Sequence, residues 1–286
     1  MFQRQRSGSV ICPSCGRLVG VSQSVCPYCG RRSPGMWGLT PWLRQLGSNM
    51  LFVDAVIGGC VLLYLLMLVV DPQGIQIRGL LGLLGPSPLS MLRFGASGAL
   101  PVFGLHRFWT VLSAGWLHAG LLHIAFNLYG LRFLAPAIAE FYGPSRMVIL
   151  YTVSSITGFL LSSTMGLFGL GGLLTVGASA PMLGLLGALV YYGRRSGNRT
   201  ISRQAWSYVL TIVIYAFFPG LHIDNFAHLG GFVGGYVTAR LLDPLLPERG
   251  NHQALALICL VLTAAAVVTS LVVPLPPGLL RTLARQ

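Results

Sequence analysis

Residues 55–70, AVIGGCVLLYLLMLVV, run for sixteen positions without a charge. Six further apolar stretches of similar kind follow. In water such stretches would have to be buried on every side. Only 9% of the 286 residues are charged, against about 25% in an ordinary globular chain, which leaves too little polar surface for a soluble fold of this size. The runs therefore read as membrane-spanning helices.

Seven spans are expected, over 51–70, 115–138, 147–166, 177–192, 205–219, 225–242 and 254–273. The fourth and fifth are short, as suits helices shielded by their neighbours. No cleavable signal peptide opens the chain, because the first apolar run begins some fifty residues in. The net charge of +13 comes from 19 arginines and no lysine. Fourteen of them, Arg4, Arg6, Arg17, Arg31, Arg32, Arg44, Arg132, Arg146, Arg194, Arg195, Arg199, Arg203, Arg240 and Arg249, fall on one side of the seven-span arrangement. The other side holds Arg78, Arg93, Arg107, Arg281 and Arg285. This asymmetry places the N-terminus in the cytoplasm and the C-terminus outside, and it accounts for the basic balance without a nucleic-acid partner.

Two loops differ from ordinary connections. Residues 72–114 form a long outer loop, too apolar to be disordered, that should lie on or partly in the outer leaflet. The segment "LFGLGGLLTV" after the third span is uncharged and rich in glycine, and should be irregular backbone packed against protein at membrane depth.

Polar groups inside the spans are the candidates for function. His118, His123 and Asn127 lie in the second span, Ser179 begins the fourth, and Asn225 and His228 open the sixth. These three spans all run from outside to inside, so their polar ends share one depth. His123 and Asn127, four apart, share a helix face. Gly231 and Gly235 line the helix face beside His228, and Ala180, Gly184, Gly187 and Ala188 form a small-residue stripe beside Ser179. Small residues let membrane helices approach closely, as a serine hydroxyl and its base require. A second Gly-Ala-Ser, ending at Ser97, lies in the outer loop and reads as a turn. Taken singly, a serine in an apolar helix more often bonds its own backbone, and a membrane histidine could serve a proton path.

Together these residues resemble the rhomboid family of intramembrane serine proteases. The family's pattern has His-x4-His-x3-Asn in one helix, matched here by His118, His123 and Asn127. Its Gly-x-Ser is matched by Gly177 and Ser179, and its Ala-His-x-x-Gly-x-x-x-Gly by Ala227, His228, Gly231 and Gly235. "RFWT" at 107–110 is similar to the family's Trp-Arg motif with the order altered, and Glu140 and Gly143 fit the loop after the His-Asn helix. Ala180 stands where many members have glycine, and a seventh span follows the six-helix core, as in the 6+1 subgroup. The resemblance implies an all-α polytopic membrane protein: a six-helix bundle over 51–245, a seventh span and tail over 246–286, and a linker over 35–50.

The implied activity is endoproteolysis of single-span membrane proteins near the outer face of a bacterial plasma membrane. His228 would act as base toward Ser179, and no carboxylate is positioned as a third member. The Ser179 N–H, at a helix N-terminus, would stabilise the oxyanion. The resemblance assigns His123 and Asn127 the same role, with His118, Gly177, Asn225, Gly231 and Gly235 in support. A catalytically inactive membrane-helix binder and a proton-coupled transporter are the competing readings.

Ahead of the spans, "CPSCG" and "CPYCG" form CxxC-x10-CxxC. Cys12, Cys15, Cys26 and Cys29 are expected to bind one structural Zn2+ in a small zinc-ribbon-like module over 1–34. Disulfides are rare in the reducing cytoplasm to which the arginines assign it. A cytoplasmic protein or anionic lipid is its expected partner. Cys60 and Cys259 read as packing residues.

Overall fold

A computed structural model describes residues 7–35, 50–78, 82–216 and 223–277. Most of the expected linker, the end of the fifth expected span and the C-terminal tail after 277 lie outside the described residues, as do Arg4, Arg6, Arg44, Arg281 and Arg285.

The N-terminal module is a two-stranded antiparallel sheet, β1 (Ser9–Ile11) against β2 (Leu18–Gly20), with Val10 opposite Val19. Its core is small: Val10, Val19, Val21 and two cysteines. So few apolar groups cannot hold a fold of this size alone, and a cross-link or metal is needed.

Among the described residues, seven long helices follow in the order expected. They are α1 (Leu51–Val70), α3 (Leu121–Tyr142), α4 (Pro144–Gly166), α5 (Ser179–Arg195), α6 (Arg199–Tyr215), α7 (Asn225–Leu241) and α8 (Gly250–Val272). A shorter helix, α2 (Pro88–Phe94), lies between the first two. α1, α3, α4 and α8 are each long and apolar enough to cross a membrane. α5, α6 and α7 have 17 residues each. At 1.5 Å per residue that is about 26 Å, at the short limit for a bilayer core.

The heart of the bundle is α4, α5 and α7, and glycine makes it possible. A Cβ on Gly231 would stand 2.1 Å from the Ala180 carbonyl oxygen, and one on Gly235 would stand 2.0 Å from that of Gly184. On the facing helix, a Cβ on Gly187 would stand 2.4 Å from the Phe232 oxygen. Backbone therefore meets backbone between α5 and α7. The same holds against α4, where Gly230 meets the Thr157 oxygen and Gly158 the Ala227 oxygen. α6 packs chiefly on α5, and α8 on α4.

One end of the bundle is knit by charge. Buried Arg146 donates through Nη1 to the carbonyls of Leu242, Asp243 and Leu246 at 3.0, 2.9 and 2.9 Å, and through Nε to that of Tyr142. A cation there meets the negative end of α7. Glu248 accepts from the Ser145 and Arg146 amides at 2.7 and 3.0 Å, and Arg195 pairs with Asp243 at 3.1 Å. The module docks at this end, with the Gly250 amide donating to the Pro13 carbonyl at 3.0 Å and the Arg31 guanidinium lying against Gly250.

One expectation needs correction, and two loop features are defined more closely. The second span begins later than position 115: helix α3 starts at Leu121, and His118 lies in the turn before it rather than within a helix. Gly120, with φ 173°, is extended backbone that separates the two. The loop over 72–114 is built rather than plain, for it holds a hairpin of β3 (Gln76–Arg78) and β4 (Gly82–Gly85), helix α2, and helical turns at Leu100–Gly104, Thr110–Ser113 and Ala114–Trp116. Ser97 does have fixed partners. It is fully buried, exchanges backbone hydrogen bonds with Thr175 at 3.0 and 2.7 Å, and sits 3.4 Å from the Ser163 hydroxyl.

The loop over 72–114 is also tied to α8. Buried Arg107 donates to the carbonyls of Leu92 at 2.6 Å and Ser270 at 2.7 Å, and the Trp109 indole donates to the Ser270 hydroxyl at 3.0 Å. A guanidinium thus joins the C-terminal ends of α2 and α8.

Candidate active site

Ser179 is the first residue of α5. Gly177, with φ 132°, makes the turn into it, a conformation that favours glycine. His228 lies on the first turn of α7, half-buried. Its Nε2 is 2.8 Å from Ser179 Oγ. The close approach of α5 and α7 through Gly231 and Gly235 is what brings the two side chains within reach.

His123 lies beside them from the start of α3. The Ala119 amide donates to its Nδ1 at 3.3 Å, which leaves the ring proton on Nε2. A Cβ added at Gly177 would lie 2.8 Å from that Nε2 and 3.6 Å from Ser179 Oγ. The missing side chain at 177 therefore opens space between an N–H donor and the serine oxygen. Asn127 donates from Nδ2 to the His123 carbonyl at 2.8 Å, and its Oδ1 is buried without a partner. One of its two amide hydrogens is used within the helix and the other is uncommitted.

His118 is fully buried in the turn before α3. Its ring centroid is 5.2 Å from that of His123, and its Nε2 accepts from the Ala178 amide at 3.5 Å. It thus holds the backbone immediately before Ser179. Asn225, which opens α7, is exposed. Gly231 and Gly235 act only through helix approach. Ser97 lies apart, paired with Thr175 and Ser163 rather than with a histidine.

One residue outside the expected site takes a definite place. Asp224 is the N-cap of α7: its Oδ1 accepts from the Ala227 amide at 2.9 Å and its Oδ2 from the Ser162 hydroxyl. The signal was present, since aspartate immediately before an apolar helix is a start signature. Among the described residues no hydrogen bond joins it to the His228 ring.

The four cysteines of the module form a second candidate site. Their sulfurs all lie within 4.8 Å of one another, with Cys12–Cys29 and Cys15–Cys26 each at 3.7 Å. A disulfide would bring sulfurs to about 2.05 Å. Four thiolates around a tetrahedral ion with bonds of about 2.3 Å would stand about 3.8 Å apart. The two knuckles repeat one geometry: Gly16 and Gly30, at φ 74° and 72°, donate back to Cys12 and Cys26 at 2.9 and 3.0 Å. Burial opposes ionisation of Cys26, but the N–H groups of Tyr28 and Cys29 favour its thiolate and lower its pKa. The donor set fits a metal ion that accepts thiolates.

A family model described as a rhomboid domain matches residues 105–244. RHOMBOID-like protein 1 of Arabidopsis thaliana is 36% identical over 162 residues, covering 54% of this chain and 40% of that protein. Rhomboid protease GluP of Bacillus subtilis (strain 168) is 32% identical over 164 residues, covering 56% and 31%. Inactive RHOMBOID-like protein 8 of Arabidopsis thaliana is 31% identical over 154 residues, covering 53% and 43%. The match spans less than half the length of each of these three relatives, and both active and inactive proteins are among them.

Proposed function

We propose, from the premise that residues 105–244 are a rhomboid domain in an integral membrane protein, that the chain is an intramembrane serine endopeptidase acting through Ser179 and His228. The observation that carries the reading is the 2.8 Å contact of His228 Nε2 with Ser179 Oγ. Similarity alone does not separate an active enzyme from an inactive relative; a serine in contact with a base supports the active reading.

In this reading the neutral imidazole of His228 accepts the Ser179 proton as the hydroxyl attacks the scissile carbonyl, and returns it to the departing amine. Water then releases the acyl group by the same route. The tetrahedral oxyanion is met by the Ser179 backbone N–H, one of the unpaired donors at the start of α5, and by His123 Nε2–H. The uncommitted amide hydrogen of Asn127 is a further donor. Gly177 keeps the space between these donors and the nucleophile clear. The substrate is the membrane helix of a single-span protein, unwound at its end so that a peptide bond can enter. The site lies at the end of the bundle opposite the arginine-rich loops, so cleavage falls near the outer face, with the N-terminus cytoplasmic. The membrane is taken to be a bacterial plasma membrane. The cysteine module, over 1–34, holds one structural Zn2+ and offers a surface for a cytoplasmic protein or anionic lipid. The bundle over 51–245, with the seventh span after it, is the catalytic unit.

The test is cleavage of a single-span model substrate by purified protein in liposomes. Ser179→Ala and His228→Ala should each abolish cleavage without unfolding the protein, while Ser97→Ala should cleave normally. Fluorophosphonate should label Ser179 only when His228 is present. Turnover by Ser179→Ala at the rate of the unmodified protein would sink the reading.

A further inference from the structure

We infer that Asp224 is a positioning residue that latches the His228 helix to the loop delivering Ser179, with Ser162 as the link. The inference rests on the protease reading and adds a residue to it.

The path is continuous. Asp224 Oδ1 accepts the Ala227 amide at 2.9 Å, and the Asp224 carbonyl accepts the His228 amide at 3.1 Å. These bonds fix the first turn of α7, on which the imidazole sits. Oδ2 accepts from the hydroxyl of Ser162, a fully buried residue of α4. The Ser162 oxygen in turn accepts the Gly172 amide at 3.2 Å. Gly172 belongs to the segment that runs to Ser179, and a Cβ there would stand 2.9 Å from Asp224 Oδ2. The segment is held on its other side by Ala99, whose amide donates to the Gly172 carbonyl at 3.0 Å, and by the Ser97–Thr175 pairing. One carboxylate thus joins three parts of the fold: the base-bearing helix, α4, and the approach to the nucleophile.

Capping alone does not call for this residue. Serine or asparagine would cap α7 as well, without a half-buried charge. Among the described residues Asp224 makes no ion pair; its donors are all neutral. What only a carboxylate supplies at this position is two acceptor oxygens, one for the helix amide and one for Ser162. An asparagine has one acceptor oxygen. With that oxygen on the cap, the amide turns an N–H toward Ser162 and leaves the Ser162 hydroxyl proton without its acceptor. The Ser179–His228 contact depends on α5 and α7 holding register to well within 1 Å, a tolerance on which rates can turn by about 100-fold.

The test uses the full chain in liposomes and reads both model-substrate kinetics and the rate of fluorophosphonate labelling at Ser179. Asp224→Asn, which keeps a capping oxygen, and Ser162→Ala, which leaves the cap untouched, should each lower kcat and the labelling rate by roughly 10-fold, with KM changed less than about twofold. Because both cut one link, the double variant should be no slower than the slower single variant. A thermal unfolding midpoint equal to that of the unmodified protein for Asp224→Asn separates the latch from a loss of helix stability. Labelling of either single variant at the unmodified rate would overturn the inference, as would effects that multiply in the double variant or a rise in KM at constant kcat. Absence of labelling in the unmodified protein would instead overturn the protease reading itself.

Discussion

Adding a single methyl group at Gly235 should separate the base from the nucleophile two helical turns away. The Cβ of Gly235→Ala would be built 2.0 Å from the Gly184 carbonyl oxygen, and its neighbours are backbone atoms of α5, which cannot rotate aside. Relief to a tolerable contact requires α7 to retreat from α5 by at least about 1 Å. Transmitted along a rigid helix, the same retreat takes the 2.8 Å contact of His228 with Ser179 to nearly 4 Å, where no hydrogen bond remains. Overpacking of this kind costs about 1–3 kcal/mol of stability, and misplacing the base by about 1 Å lowers kcat by about 100-fold. The assay is fluorophosphonate labelling of Ser179 alongside thermal unfolding. Gly58→Ala is the control, because a Cβ on Gly58 of α1 meets nothing within 4 Å. The control should label at the unmodified rate. If Gly235→Ala labelled as fast and melted no lower, helix approach would not be what joins the two residues.

Other perturbations have equally definite outcomes. Gly177→Ala would force a side chain into positive φ and against His123 Nε2; kcat should fall by about 10–1000-fold, as for a lost oxyanion donor, with the fold intact by circular dichroism. Arg107→Ala would leave the Ser270 carbonyl unpaired in a buried place, while that of Leu92 keeps the Gly95 amide; at about 1–3 kcal/mol for the orphaned acceptor, the unfolding midpoint in detergent should fall by a few degrees. Replacing Cys12, Cys15, Cys26 and Cys29 by serine should abolish one bound Zn2+ per chain by elemental analysis. The variant should still cleave a short model substrate, since the module touches the opposite end of the bundle from Ser179; a metal-free protein with two disulfides would refute the assignment.

Much of the site was legible because membrane helices constrain depth. Once three spans run in one direction, polar residues at their starts share a level, and Ser179, His228 and His123 do lie side by side in the structure; their roles came from the resemblance. The span 51–70 was legible to the residue, since hydropathy changes abruptly on both sides. Features that depend on contacts far apart in sequence were not. His118 reads as part of a helix by hydropathy, yet the extended Gly120 ends that helix before it. The β3–β4 hairpin carries no alternating pattern to betray it. Ser97 looked like an isolated turn because its partner, Thr175, is distant in the chain. Asp224 reads as a loop residue, and both its cap on α7 and its bond to Ser162 emerge only with the fold.

α8 is bonded at its two ends to parts of the protein that lie far apart. Its first residue, Gly250, holds the carbonyl of Pro13 between two cysteines of the first knuckle, and its last turn holds Arg107 and Trp109 through Ser270. At 23 residues it is a rod of about 34 Å. A rod so fastened ties the cysteine knuckles at one end of the bundle to the loop that carries α2 at the other. Cutting either fastening, at Gly250 or at Ser270, frees that end of α8 from its partner.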